Sequence, residues 1–475
     1  MIVETYKIKN CVKVNIEKEQ TLKYKLELHD LGKGANAFLI YLKESLLSDV
    51  SITSRELLDV KILEELKSRF RKRAEEIITA KLSNIDADLK GFLIVKLIND
   101  MFGLGNIDYL LDDENLEEIV IPSSTENVRV YHRKHGWLET NLNISREDDI
   151  YNYASIIARR VGRQITTLTP LLDAHLLSGD RANVVLFPIS SKGNTITIRK
   201  FSRDPWTAVD FINNNTCSSE ILALIWLAIE YELSILFSGS TSSGKTSFLN
   251  ASTVFIPPNN RIISIEDTRE LNLGSGLYWC PLSTRQANPE GKGEIDELDL
   301  LVNSLRMRPD RLILGEVRRK RQTQILFEAM HTGHSVYTTF HADSIDETIT
   351  RLTSKPIEVP VNLLDAVDLN VVMFRDRRKG FRKVIQVGEF MVEGNECKAN
   401  VIYRWNPVND QFVKHKNVLK LFERLSRLIG MTQTDINKDL EEKERILMNL
   451  IKKGMRSMDD ISRVMNEYYF RKRGK

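Results

Sequence analysis

The sequence predicts an α/β protein whose body is a parallel sheet of βαβ units, with a compact α+β module before it and a helical tail after it. Three observations carry this. After Trp206, short apolar runs alternate with helical patterns, the signature of parallel strands joined by crossover helices. Between about Asp113 and Phe201, short strand-like runs surround a single helix. A glycine-rich loop, Gly239 to Thr246, stands directly between a strand and a helix. With 475 residues the chain exceeds what one hydrophobic core supports. Four regions are expected: a helical or irregular N-terminal region (1–110), the α+β module (111–203), the parallel-sheet domain (204–417) and the helical tail (418–475).

In chain order, residues 1–110 read as charged and irregular, apart from one basic stretch, LEELKSRFRKRAEEIITAKL, whose apolar residues recur at helical spacing. It is expected to be a solvated amphipathic helix. The α+β module is predicted from the runs EEIVIP, VRVYHR, NVVLFPIS and TITIRKF and the helix DDIYNYASIIARRVG. Next come a helix at 218–230, the strand LSILFSG, the loop, a helix from Lys245 and the strand RIISIED. The helix ELDLLVNSLRM, the strand RLILGEV, the helix QTQILFEAMH and the strand SVYTTFH complete the parallel part. The runs VVMFRD, KVIQVGEF, NVIYRW and QFVKH predict an antiparallel extension, and from Val418 the pattern is helical to a basic end.

Composition bounds the function. A net charge of +3, with both signs mixed along the chain, argues against a dedicated nucleic-acid binder. Cys11, Cys217, Cys280 and Cys397 form no CxxC pair, so neither a disulfide framework nor a structural zinc site is expected, and free thiols suit a cytoplasmic protein. The N-terminus MIVETYKIKN has no apolar signal region. The most apolar run, Ile221 to Ile229, is too short to cross a bilayer before Glu230 and Glu232 interrupt it, and is expected to be a buried helix. Membrane contact is therefore expected only peripherally, through a partner.

Gly239-Ser240-Thr241-Ser242-Ser243-Gly244-Lys245-Thr246 fits G-x-x-x-x-G-K-[ST] in the strand-to-helix setting that the motif requires, with Ser247 following in the helix. Glycines let the backbone approach phosphates closely, successive N–H groups surround them, Lys245 supplies a point charge and the Thr246 hydroxyl is a Mg²⁺ ligand. The strand Arg311-Leu312-Ile313-Leu314 ends in Gly315-Glu316, with glycine where an aspartate is usual, leaving Glu316 as the water-polarising group and a second metal ligand. A further acidic strand end, Ile265-Glu266-Asp267-Thr268-Arg269-Glu270, keeps Glu266, and behind it Glu270, in reserve for that role.

In order and spacing, GSTSSGKTS, IISIEDTREL, RMRPDRLILGEVR and TGHSVYTTFHADS resemble the four boxes of the secretion ATPase superfamily, which includes type II secretion, type IV pilus, archaellum and conjugation motors. TPLLDAHLLSGDRANVVLFPIS and TITIRKF look like its second N-terminal domain and linker. The likeness implies a PAS-like domain joined to a RecA-like core, six chains in a ring, and ATP with Mg²⁺ between domains and subunits. It implies that Lys245, Glu316 and Glu266 act in catalysis, that Arg181, Arg199 and Arg318 approach the nucleotide, and that His334 and His341 sense phosphate; His331 is read as structural. For each arginine a surface salt bridge is the competing reading. The absence of a four-cysteine insertion and the wording of the boxes and tail resemble archaeal members. The expected partners are thus a homohexamer, a polytopic membrane platform protein and, indirectly, pilin-like subunits. A RecA-like nucleic-acid motor, a non-hydrolysing scaffold and a conjugation-type ATPase are the rivals.

Overall fold

The structure, a computed structural model, describes residues 1–8, 12–29, 31–49, 60–82, 85–176, 179–201, 205–287, 291–376 and 378–473. Cys11, Ser178 and the expected boundary at 203/204 lie outside the described residues. The chain forms two compact units, Met1–Ser202 and Arg203–Lys475.

The first unit contains β1 (Ile2–Ile8), β2 (Val12–Lys18), β3 (Leu22–Glu27), α1 (Lys33–Asp49), α2 (Val60–Lys81), α3 (Ala87–Phe102) and α4 (Ile107–Asp112). There follow β4 (Leu116–Ile121), β5 (Asn127–His132), β6 (Gly136–Asn143), α5 (Glu147–Arg160), β7 (Leu171–His175), β8 (Arg181–Val185) and β9 (Thr195–Arg199). Its strands make one sheet in the order β1-β2-β3-β6-β5-β4-β9-β8-β7. Residues 2–27 correct the expectation of an irregular N-terminus. In V-K-V-N-I-E-K and L-K-Y-K-L-E, lysine and glutamate fill every second position except that of buried Asn15, and Val12, Val14, Ile16, Tyr24 and Leu26 turn inward. The basic stretch forms α2 as its period predicts. Leu66, Phe70, Ala74 and Ile78, four residues apart, bury one stripe against α1 and α3.

The second unit opens with α6 (Ala208–Asn213), α7 (Ser219–Glu230), β10 (Ile235–Gly239), α8 (Lys245–Ser252), β11 (Arg261–Glu266), β12 (Tyr278–Ser283), α9 (Glu297–Ser304), β13 (Arg311–Leu314) and α10 (Lys320–His331). It continues with β14 (Ser335–Phe340), α11 (Ile345–Thr353), β15 (Leu369–Arg375), β16 (Arg382–Glu393), β17 (Glu396–Asn406), β18 (Gln411–Lys414), α12 (Lys420–Ile429), α13 (Gln433–Lys452) and α14 (Met458–Arg473). The strand order is β12-β11-β13-β14-β10-β15-β16-β17-β18. From β12 to β15 every pairing is parallel, and from β15 to β18 every pairing is antiparallel. The central strands are buried on both faces, which is why β10, β13 and β14 read as continuous rather than alternating buried runs.

Helix α7 starts at a Ser218 cap, and all nine residues from Ile221 to Ile229 are buried. Among the described residues, no helix is long and apolar enough to cross a membrane. The carboxyl-terminal helices pack back on α7. Trp226 Nε1 donates to Tyr469 Oη at 2.9 Å, and the Tyr469 hydroxyl donates to the Phe255 carbonyl. Alongside, fully buried Lys443 contacts Glu230 at 2.7 Å and Asp439 at 2.6 Å, and Lys472 reaches both carboxylates at 2.8 Å. Two cations thus balance two carboxylates inside an apolar layer, the condition under which buried charge is tolerated. Lys443→Met is expected to lower unfolding stability by about 3 kcal/mol, because the surviving lysine must then serve both carboxylates. Denaturant unfolding followed by tryptophan fluorescence checks this, and an unchanged midpoint would contradict it.

Candidate active site

Because the strands from β12 to β15 run the same way, their carboxyl ends lie along one edge of the sheet, where ligands bind in open α/β folds. That edge receives Gly239 from β10, Glu266 from β11, Gly315-Glu316 after β13 and His341 after β14. Between β10 and α8 the loop takes up left-handed backbone at Ser242 (φ 63°) and Gly244 (φ 96°). At Gly239 (φ 148°) a Cβ would stand 2.3 Å from the Met373 carbonyl oxygen, so β15 itself requires glycine there.

Lys245 folds back over its own loop. Its buried Nζ donates to the Gly239 and Ser240 carbonyls, both at 2.9 Å, and lies 3.3 Å from His341 Nδ1. His341 Nε2 is 3.0 Å from Glu316 Oε1, and the other oxygen of Glu316 accepts from Arg318 at 2.6 Å. The four side chains form one polar chain, Arg318, Glu316, His341, Lys245. With an ammonium on one ring nitrogen and a carboxylate on the other, neutral imidazole protonated at Nε2 satisfies both neighbours. Burial lowers the His341 pKa and the Lys245 charge lowers it further. Burial also lowers the Lys245 pKa, against the opposing pull of Glu316. The Glu316 hydrogen bond raises that of Arg318.

Glu266 plays a different part. Its Oε1 accepts from the backbone N–H of Glu270 at 2.8 Å and of Leu271 at 3.0 Å, closing the turn after β11. Burial pushes its pKa up to about 7. Among the described residues, Glu266 Oε2 and the buried Ser243 Oγ have no hydrogen-bond partner. A cradle that excludes a Cβ, an orphaned hydroxyl inside the loop and carboxylates at strand ends on the same edge of the sheet fit a phosphate chain with a divalent cation. Thr246, half-buried in the first turn of α8, and Glu316 are the residues that could hold the cation.

Some expected residues do not join this cluster. His334 precedes β14 and so lies at the amino edge of the sheet, opposite His341; its Nδ1 is 3.2 Å from the Ala329 carbonyl and 3.2 Å from Thr332 Oγ1. This corrects the expectation that both histidines face one site. A strand puts its two ends on opposite edges. His331 Nε2 lies 3.2 Å from the Leu363 carbonyl. Arg181 opens β8 rather than sitting in a turn, and its Nε donates to Asp173 Oδ1 at 2.9 Å. Arg199 ends β9, in register with Glu118 and Arg181. Both belong to the first unit. Sequence reasoning missed Arg382, whose Nε donates to the Ser242 carbonyl at 3.3 Å. The basic run RDRRKGFRK was the available signal, but it lies far along the chain from the loop.

Strand, glycine-rich loop and helix, with a carboxylate and a histidine on neighbouring strand ends, define a P-loop arrangement. The profile of the type II/IV secretion system protein family matches residues 124–403, and the chain belongs to that family. It is 35% identical over 366 residues to an uncharacterised protein of Methanocaldococcus jannaschii, in an alignment covering 75% of this chain and 65% of that one. The chain thus spans just under two thirds of that relative's length. It is 30% identical over 292 residues to the type IV secretion system protein PtlH of Bordetella pertussis, covering 53% of this chain and 84% of PtlH. The crystal structure of the ATPase DotB from Yersinia pseudotuberculosis overlaps 76% of this chain and 92% of its own, with 16% identity and a TM-score of 0.45.

The raised Glu266 pKa has a consequence for stability. Folded protein holds this proton up to about pH 7, whereas the unfolded chain releases it near the ordinary glutamate value of about 4.3. Between those values the folded state binds more protons, so the contribution of Glu266 to stability falls as pH rises and levels off above pH 7. Glu266→Gln removes that slope. Relative to the parent, the variant is expected to gain on the order of 2 kcal/mol between pH 5 and pH 8. Parallel denaturant titrations at the two pH values test this, and equal differences at both would contradict it.

Proposed function

We propose that this chain is a Mg²⁺-dependent ATPase that works as a cytoplasmic homohexameric ring, peripheral at the membrane. It powers assembly of a type IV pilus-like filament, archaeal pilus or archaellum, through a polytopic platform protein. The single observation that carries the enzymatic part is the polar chain Arg318, Glu316, His341, Lys245 beside a loop whose first residue, Gly239, leaves no room for a Cβ. Membership of the type II/IV secretion family supports the motor assignment. The wording of the four boxes and the absence of a four-cysteine insertion support the archaeal pilus or archaellum branch. In this reading the second unit is the RecA-like core and the module before it is PAS-like.

The loop N–H groups and the amino end of α8 hold the phosphates, and Lys245 exchanges its two carbonyls for phosphate oxygens. The Thr246 hydroxyl and Glu316 would hold Mg²⁺, which would supply neutralising charge at the phosphates. Each Glu316 oxygen keeps a lone pair beyond its present partner, so the carboxylate can also orient the attacking water. His341 joins Lys245 to Glu316, so a change at the phosphates reaches the carboxylate directly. In this reading Arg181 and Arg199 are further nucleotide-contacting residues. A second reading, a conjugation-type or type II secretion ATPase, is favoured by the likeness to PtlH and shares every catalytic residue.

Phosphate release with and without EDTA is the primary test. Glu316→Gln is expected to bind ATP within a few-fold of the parent yet turn over at least about 100-fold more slowly, whereas Lys245→Ala loses most affinity. Turnover of Glu316→Gln at the parent rate would sink the assignment and pass the role to Glu266. Arg181→Ala is expected to lower turnover far more than binding, since charge develops during transfer. Single-turnover rates set against calorimetric affinities read that ratio, and no loss of either would remove Arg181 from the nucleotide site.

A further inference from the structure

The P-loop is walled on two sides. On one side stand Glu316 and His341, from the ends of β13 and β14. On the other lies β15, whose Met373 carbonyl sits so close to Gly239 that no side chain fits between them. Beyond β15 the chain reverses in a turn of defined geometry: Asp376 Oδ1 accepts from the N–H of Arg378 at 2.8 Å and of Lys379 at 3.0 Å, and Gly380 takes φ 73°. That turn delivers Arg382 as the first residue of β16, directly opposite Arg375. Arg382 then reaches the loop. Its Nε donates to the carbonyl of Ser242, a residue held at positive φ. Its Cδ lies 3.2 Å from where a Cβ on Gly244 would stand, so the second loop glycine leaves room for this side chain as well as for a ligand.

We infer that Arg382 is a nucleotide-contacting residue that supplies a cationic wall to the phosphate cradle from the side away from Glu316. The inference rests on the nucleotide reading above. Three features point to a polyphosphate as what this wall meets. Nε is one of five guanidinium donors in a fixed fork, the geometry that suits phosphate oxygens. Arg378 and Lys379, exposed on the same hairpin, add positive charge. The Arg382 side chain already lies against the loop, its Cδ 3.2 Å from where a Cβ on Gly244 would stand. Because Glu316 and His341 mark the end of the cradle where the terminal phosphate reacts, Arg382 on the other side contacts the phosphates shared by nucleoside di- and triphosphates. It therefore acts on binding of both alike.

The experiment measures calorimetric affinity for ADP and for a non-hydrolysable ATP analogue with the full-length chain as parent, Arg382→Ala, Arg382→Lys and Lys245→Ala, and thermal unfolding without nucleotide for each. Arg382→Ala is expected to weaken both ligands about tenfold or more and to unfold at the parent temperature. Arg382→Lys is expected to recover part of the affinity, because it keeps the charge and loses the fork. If Ala binds as the parent does, or if Lys is impaired as much as Ala, the arginine serves only to pin Ser242 and the inference is overturned. If the parent binds neither ligand, or if Lys245→Ala binds as the parent does, the phosphate-cradle reading itself fails, an outcome distinct from failure at Arg382 alone.

Discussion

Parallel pairing of β10 with β14 on one side and β15 on the other constrains everything at the carboxyl edge of the second unit. Parallel strands cannot be joined by hairpins, so each must be followed by a crossover, and each crossover leaves the sheet at the same edge. The loop after β10, the carboxylates after β11 and β13 and the histidine after β14 meet there although up to a hundred residues separate them. The same pairing brings the β15 backbone against Gly239. A substitution that displaced β15 would therefore alter the loop without touching any residue of the motif.

Cohesion of the second unit comes from apolar layers on both faces of this sheet, and α7 is the seam. Its inner face contributes Trp226, stacked on Phe255 with ring centroids 5.1 Å apart, and its carboxyl end contributes Glu230 to the buried ionic cluster. The tail helices α13 and α14 complete a core begun more than two hundred residues earlier. Charge in that layer specifies register more than it adds stability: two lysines and two carboxylates satisfy one another only in one alignment of the helices. In the first unit, Asp113 plays a comparable part, accepting from the hydroxyls of Tyr6 and Tyr24 at 2.6 and 2.8 Å and tying the N-terminal strands to the rest of the sheet.

What the sequence made legible was what is local. The loop, its flanking strand and helix, the acidic ends of β11 and β13 and the apolar α7 all lie within short windows whose period or spacing is diagnostic. Strands β2 and β3 were missed because Lys13 and Glu17 in one and Lys23, Lys25 and Glu27 in the other hide the alternation of the apolar residues between them. Strand β12 was missed because Pro281 lies within it, which suits only an edge. At the site, Glu266 and Glu316 were both visible as acidic strand ends, but their division of labour was not. One caps a turn while the other joins a charged chain, and that depends on which backbone amides fold back on each. The distance between His334 and His341 was hidden for the opposite reason. A short spacing in sequence looks like proximity until the intervening residues are extended.

The self-coordination of Lys245 sets a threshold for what the loop accepts. The Gly239 and Ser240 carbonyls are covalently tethered to the ammonium they hold, so they compete with any incoming anion at a high effective concentration that dilution cannot reduce. An anion carrying a single weak charge gains little by displacing them. A ligand that also engages the loop amides gains several contacts for one displacement, so occupancy becomes selective for extended anions before any specific recognition of the rest of the ligand begins.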